Sequence, residues 1–227
     1  MIEVIGHRGV AGLEPENTLR SFRHAIELGV DYVECDIHLT ADGWPVVIHD
    51  ETVDRTTNGS GPVAQMAFAD LRRLDAGGGE RVPTLEEFLD CIQGHCGAHI
   101  ELKGDGCEET VLRYVEYKGM LDDVVLTSGQ TQRLRRLRTL NAKVAIEHIF
   151  ADPPPDAIPR ATSVRASRVS AHYTHATPEF LAAAHAAFLK VIAWPPNTEA
   201  TMQAMIDLGV DYICTDRADI LMRVLGR

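Results

Sequence analysis

The sequence is short of positive charge. Its 227 residues carry 22 Lys and Arg against 33 Asp and Glu, a formal net charge of −11. That balance argues against nucleic acid or an anionic membrane as a general partner. No run of about 18 apolar residues occurs, so no membrane span is expected. No basic, apolar leader precedes the strand-like run that starts at Ile2. The five cysteines, Cys35, Cys91, Cys96, Cys107 and Cys214, are odd in number and fit no zinc spacing. Cys91 and Cys96, with His95 and His99 nearby, form one local cluster, read as structural rather than metal-binding. A reducing, cytoplasmic compartment is the default expectation.

What is present is a core and a repeated pattern. Apolar residues make up 45% of the chain, enough for a sizeable interior. The length suits one α/β barrel and not two. Residues 25–36, Ala-Ile-Glu-Leu-Gly-Val-Asp-Tyr-Val-Glu-Cys-Asp, are echoed at 205–216, Met-Ile-Asp-Leu-Gly-Val-Asp-Tyr-Ile-Cys-Thr-Asp. Each copy reads as a helix, a glycine stop and a buried strand, the unit of a (β/α) barrel. Strand candidates lie near 2–6, 31–36, 98–102, 123–128, 143–148, 168–172, 189–194 and 211–215. Eight is the closure number of such a barrel.

Asp42-Gly43 between two apolar runs signals a hairpin that returns His49 opposite Asp36. Residues 45–48 are then an arm above the barrel; the alternative makes them a stave and removes a later segment, such as 168–172. Residues 51–83 are rich in loops, and an insertion at about 51–96 is expected to form a lid or substrate wall. Thr84-Leu85-Glu86-Glu87 reads as a capping box, and Thr177-Pro178 as a helix start.

Polar clusters follow the apolar runs: His7-Arg8, Glu34-x-Asp36, His49-Asp50 and Glu101-x-Lys103. In parallel α/β architectures, chemistry is placed at the C-terminal ends of strands. Side chains alternate along a strand, so Glu34 and Asp36 share one face, as do Glu101 and Lys103. Three carboxylates without a thiolate suit one hard divalent cation, Mg²⁺ or Ca²⁺ or Mn²⁺. Asn17 is read either as a helix cap or as a substrate contact, and Arg55 as a loop tie or a phosphate contact. His99 is placed in the lumen beneath Glu101.

The motifs His7-Arg8-Gly9, Pro15-Glu16-Asn17-Thr18, Glu34-x-Asp36, Asp42-Gly43 before Pro45-Val46-Val47-x-His49-Asp50, Arg55-Thr56-Thr57 and Glu101-x-Lys103 occur in this order. Together they resemble the glycerophosphodiester phosphodiesterase family, and the resemblance spans nearly the whole chain. Weaker echoes are Trp194-x-x-Asn197 and Thr215-Asp216. Two departures fall on the leaving-group side: Pro195-Pro196 inside the Trp194 motif, and Ser128-Gly129 where the family carries Ser-Phe.

The resemblance implies a single (β/α)₈ TIM barrel over 1–227 and hydrolysis of a glycerophosphodiester to glycerol 3-phosphate and an alcohol. It implies Glu34, Asp36 and Glu101 as metal ligands and His7 and His49 as the acid/base pair. Arg8, Lys103 and Trp194 are the implied phosphate and substrate contacts. Two other readings remain: a phosphatidylinositol- or sphingomyelin-type phospholipase, and a non-catalytic phosphodiester-binding barrel.

Overall fold

A computed structural model describes residues 2–227. The chain alternates strands and helices: β1 (Glu3–Gly6), α1 (Leu19–Glu27), β2 (Tyr32–Leu39), β3 (Pro45–Val47), α2 (Phe68–Leu71), α3 (Leu85–Ile92), β4 (Gly97–Leu102) and α4 (Glu108–Tyr117). It continues with β5 (Val124–Ser128), α5 (Thr131–Leu140), β6 (Ala145–Phe150), α6 (Ala157–Ser163), β7 (Arg168–His172), α7 (Pro178–Ala186), β8 (Lys190–Trp194), α8 (Glu199–Leu208), β9 (Tyr212–Thr215) and α9 (Ala218–Val224). Parallel pairing runs β1-β9-β8-β7-β6-β5-β4-β2, and β1 pairs back onto β2. The result is a closed eight-stranded (β/α) barrel. β3 lies outside it, antiparallel to β2 with Leu39 opposite Pro45. The 45–48 segment is therefore the arm and not a stave, and 168–172 keeps its place as a barrel strand.

Local sequence explains the element ends. The Thr18 hydroxyl accepts from the Ser21 N–H and caps α1, so Asn17 is freed for another task. Thr84 and Glu87 close a reciprocal capping box at α3. Gly29 and Gly209, matched in the internal repeat, end their helices at φ 79° and 89°, a conformation that side chains with a Cβ resist.

Alternation sorts the strand side chains. In β2 and β4, Val33, Cys35, Ile37, Ile100 and Leu102 point outward into the apolar layer beneath the helices. Their neighbours Glu34, Asp36, His99 and Glu101 point into the lumen. In the arm, Val47 joins the main core, while Val46 and Ile48 pack with Val53, Val63, Leu71, Ala76 and Val82 in a separate small core under the inserted loops. All five cysteines are free.

The insertion expected over 51–96 divides here. Residues 51–83 hold the small core, whereas α3 joins the helical ring, where Phe88 meets Phe22 of α1 edge-on at 4.7 Å. Phe88→Ala should therefore destabilise the barrel itself, by about 3–5 kcal/mol. The check is thermal denaturation, with a fall in Tm on the order of 10 °C. An unchanged barrel transition would mean that α3 belongs to a detachable insertion.

Candidate active site

The lumen opens at the C-terminal ends of the strands into a cavity of about 570 Å³. His7, Arg8, Glu34, His49, Glu101, Lys103 and Trp194 all line it. Asp36 is only 1% exposed and lies behind them, but it remains part of the cluster. One oxygen from each of Glu34, Asp36 and Glu101 falls within 4.8 Å of the others. The residues singled out in the sequence thus converge on one place.

Backbone strain shapes the first wall. Arg8 has φ 51° and Asn17 φ 57°, in the left-handed region that costs non-glycine residues free energy. The bend aims the Arg8 N–H at Glu34 Oε2, 2.9 Å away. It also brings Asn17 Nδ2 to Asp36 Oδ2 at 2.9 Å. Asn17 is therefore not the helix cap; its amide orients a carboxylate. Gly9, at φ 83°, sits so close to α1 that an added Cβ would lie 2.3 Å from Ser21 Oγ.

Three carboxylates so close cannot all ionise without compensation. Burial, and then Asp36, lift the Glu34 carboxyl well above its ordinary range. The same two causes push Glu101 up to about 7. Asp36 goes the other way: burial would raise it, but the charges of Lys103, His49 and Arg8 outweigh that and hold it low. Lys103 Nζ lies 3.2 Å from Glu101 Oε2 and 3.7 Å from Asp36 Oδ1. Asp36 Oδ1 is nonetheless buried without a hydrogen-bond donor. A hard cation fits this donor set: it would take the free oxygen and the surplus negative charge together.

The two histidines are anchored alike. His7 Nδ1 lies 2.6 Å from Asp216 Oδ1, and His49 Nδ1 lies 2.6 Å from Asp50 Oδ1. Lys103 can only donate, so at 3.2 Å it makes His49 Nε2 an acceptor and places the His49 proton on Nδ1, toward Asp50. Burial, outweighing the attraction of Asp36 and Asp50, lowers the His49 pKa. The His38 ring Nε2 donates to the His49 carbonyl at 3.1 Å and fixes the arm beneath it. His7 Nε2 faces the cluster, 3.9 Å from Glu34 Oε2.

Asp216 and Asn197 carry more than their motif echoes suggested. Asn197 Nδ2 donates to Asp216 Oδ2 at 2.6 Å, and Asn197 Oδ1 accepts from the Asp216 N–H and the Thr215 hydroxyl. Asn197 thus supports His7 through Asp216. The internal repeat held a signal for this, since Asp216 occupies the position of Asp36. Arg55 joins two walls, pairing with Asp50 at 2.7 Å and with Glu16 at 2.7 and 2.8 Å; Glu16 also accepts from Arg8 at 2.9 Å. The buried contact of His99 Nδ1 with Glu147 Oε2, 2.6 Å, had no sequence signal on the Glu147 side.

Residues 7–220 match the glycerophosphoryl diester phosphodiesterase family. The chain belongs to that family. It is, with the family, a phosphoric diester hydrolase. A glycerophosphodiester phosphodiesterase of Caldanaerobacter subterraneus subsp. tengcongensis is 33% identical over 237 residues, covering 99% of this chain and 98% of the relative. A solved glycerophosphodiester phosphodiesterase of Agrobacterium tumefaciens superposes with a TM-score of 0.86 at 31% identity, covering 97% and 99%. A phosphodiesterase of Oleispira antarctica, solved with the product sn-glycerol-3-phosphate, superposes with a TM-score of 0.91 at 28% identity, covering 99% and 97%. Among the described residues no helix is long and apolar enough to cross a membrane.

The raised carboxyls set a stability prediction. Glu101 binds its proton more tightly folded, with a pKa of about 7, than unfolded, at about 4.3. Between those values the unfolded chain holds fewer protons, so this group makes the metal-free protein less stable as pH rises. Metal-free Glu101→Gln should therefore gain in Tm over wild type from about pH 5 to 7. Differential scanning fluorimetry across that range checks this; a flat difference contradicts it.

Proposed function

We propose that the chain hydrolyses glycerophosphodiesters to glycerol 3-phosphate and an alcohol, using a divalent cation and two histidines. The observation that carries this reading is the pair of imidazoles, each anchored through Nδ1 to a carboxylate, beside a cluster of three acidic oxygens in one cavity. The product held by the Oleispira antarctica relative supports the substrate class.

Glu34, Asp36 and Glu101 would hold the cation, Mg²⁺ or Ca²⁺ or Mn²⁺. Bound there, it supplies Lewis acidity to the phosphoryl oxygens and lowers the pKa of a substrate hydroxyl. Arg8 and Lys103 add positive charge that is already desolvated and oriented, where the transition state gains negative charge. Both cations titrate above their ordinary values; burial opposes this, and the neighbouring carboxylates, Asp36 foremost, outweigh it. Trp194 offers an aromatic wall at the end of β8. Five free thiols suit the reducing, cytoplasmic compartment proposed for the protein.

The histidines divide two proton transfers. One Nε2 takes the proton of the glycerol hydroxyl next to the phosphate; the other protonates the leaving alcohol. The attack is intramolecular and so has a large effective-concentration advantage over water. A cyclic phosphodiester forms, and water opens it with the roles reversed.

His7→Ala and His49→Ala should each lower kcat by on the order of 10²-fold or more, with Tm little changed. Near-normal turnover by either variant would remove that histidine from the reaction. A diester without the adjacent hydroxyl should not be hydrolysed. Cleavage of it as fast as the glycerol diester at equal occupancy would replace the cyclic route with direct attack by water.

A further inference from the structure

Below the carboxylates the lumen is filled only in part as a barrel core usually is. Bulky branched side chains normally occupy such layers. Here Thr127, Ser170 and Cys214, all small, line the cavity beside Glu34, and beneath them His99 and Glu147 share the lining with the buried Ile5 and Ile192. Tyr32, Tyr212 and Arg168 close the bottom, the guanidinium lying 5.9 and 5.2 Å from the two rings. The cavity therefore extends past the carboxylates into a well that is polar on the side of β4 to β7, with His99, Thr127, Glu147 and Ser170, and apolar at Ile5 and Ile192.

Four polar atoms face this space without a protein partner: His99 Nε2, Thr127 Oγ1, Ser170 Oγ and Trp194 Nε1. His99, Thr127 and Ser170 are 2%, 1% and 1% exposed, so none can turn to bulk water. Buried polar groups in native proteins are almost always satisfied, and exceptions call for a ligand, a water or a function. His99 cannot rotate to find a partner, because Nδ1 is fixed on Glu147.

We propose that the well is a subsite for the terminal hydroxyl of the substrate glycerol, on the carbon remote from the phosphate. The assignment rests on the glycerophosphodiester reading above. A hydroxyl both donates and accepts, so it can accept from Trp194 Nε1 while donating to a hydroxyl oxygen or to His99 Nε2. An anion would meet Glu147 and Glu101. An ammonium group could not accept from the indole. An acyl ester at that position could accept from the indole or a hydroxyl but could donate nothing, leaving His99 Nε2 unpaired. The well thus selects glycerol with its terminal hydroxyl free, and Thr127, Ser170, His99 and Trp194 determine that specificity. Glu147 acts through His99 as a positioning residue.

The test compares glycerophosphocholine with the analogue whose terminal hydroxymethyl is a methyl, in wild type, Ser170→Ala and Thr127→Val. Both substitutions nearly conserve volume. In wild type the analogue should lose on the order of 10²-fold or more in kcat/KM, the penalty of a site built around a hydroxyl. In each variant the parent should lose about 10-fold and the analogue little, so that discrimination shrinks. Equal kcat/KM for parent and analogue in wild type overturns the subsite alone. Equal losses on both substrates in the variants overturn it as well, showing a structural role. No turnover of either substrate by wild type overturns the glycerophosphodiester reading, and the subsite with it.

Discussion

Three carboxylates held on one lumen wall, with oxygens within 4.8 Å, are the constraint to which the rest of the site answers. In a buried setting such charges repel strongly and lose their hydration. The surrounding structure meets this in two ways. Two of the acids keep their protons more tightly than usual. The third, Asp36, is stabilised as an anion by Lys103, His49, Arg8 and the amide of Asn17. The left-handed backbone at Arg8 and Asn17 follows from this need, since it brings an N–H and an amide to the carboxylates. Net charge −11 and local positive charge are thus compatible, because Arg8 and Lys103 both line the cavity.

The inserted loops over 51–83, expected to form a lid or substrate wall, contribute no residue to the lining of the cavity; they act on the arm. Their small core seats Ile48 and Val53 on either side of His49 and Asp50, which steadies the arm. Arg55 then ties Asp50 to Glu16, and Glu16 holds Arg8. A chain of charge-assisted contacts runs from one imidazole across the insertion to the guanidinium that flanks the other. His7 is braced from the opposite end of the chain through Asp216 and Asn197. Each ring is thereby fixed at Nδ1.

Much of this was legible in the residues alone. Period-two alternation in 31–37 and 98–103 put Glu34, Asp36 and Glu101 on lumen faces, and Asp42-Gly43 gave the hairpin that carries His49. The repeat at 25–36 and 205–216 showed the βα unit and marked Asp216, but its bond to His7 depends on barrel closure between β1 and β9, which no local pattern encodes. Glu147 meets His99 across the lumen by the same long-range geometry. Where α3 belongs was hidden for a related reason: its capping box was readable, yet its neighbour Phe22 lies 66 residues away along the chain. Arg55 and Asn17 each admitted two readings, and neither signalled the pairing of Arg55 with Asp50 and Glu16 or of Asn17 with Asp36.

The central claim is that the carboxylate cluster binds a divalent cation that the reaction requires. Its most direct test is the hydrolysis of glycerophosphocholine by exhaustively metal-stripped protein, before and after Mg²⁺, Ca²⁺ or Mn²⁺ is restored, with Asp36→Asn measured alongside. The account predicts no turnover by stripped protein, recovery with at least one of the cations, and none in the folded Asp36→Asn variant at the same cation concentration. Full turnover by the stripped protein would contradict it.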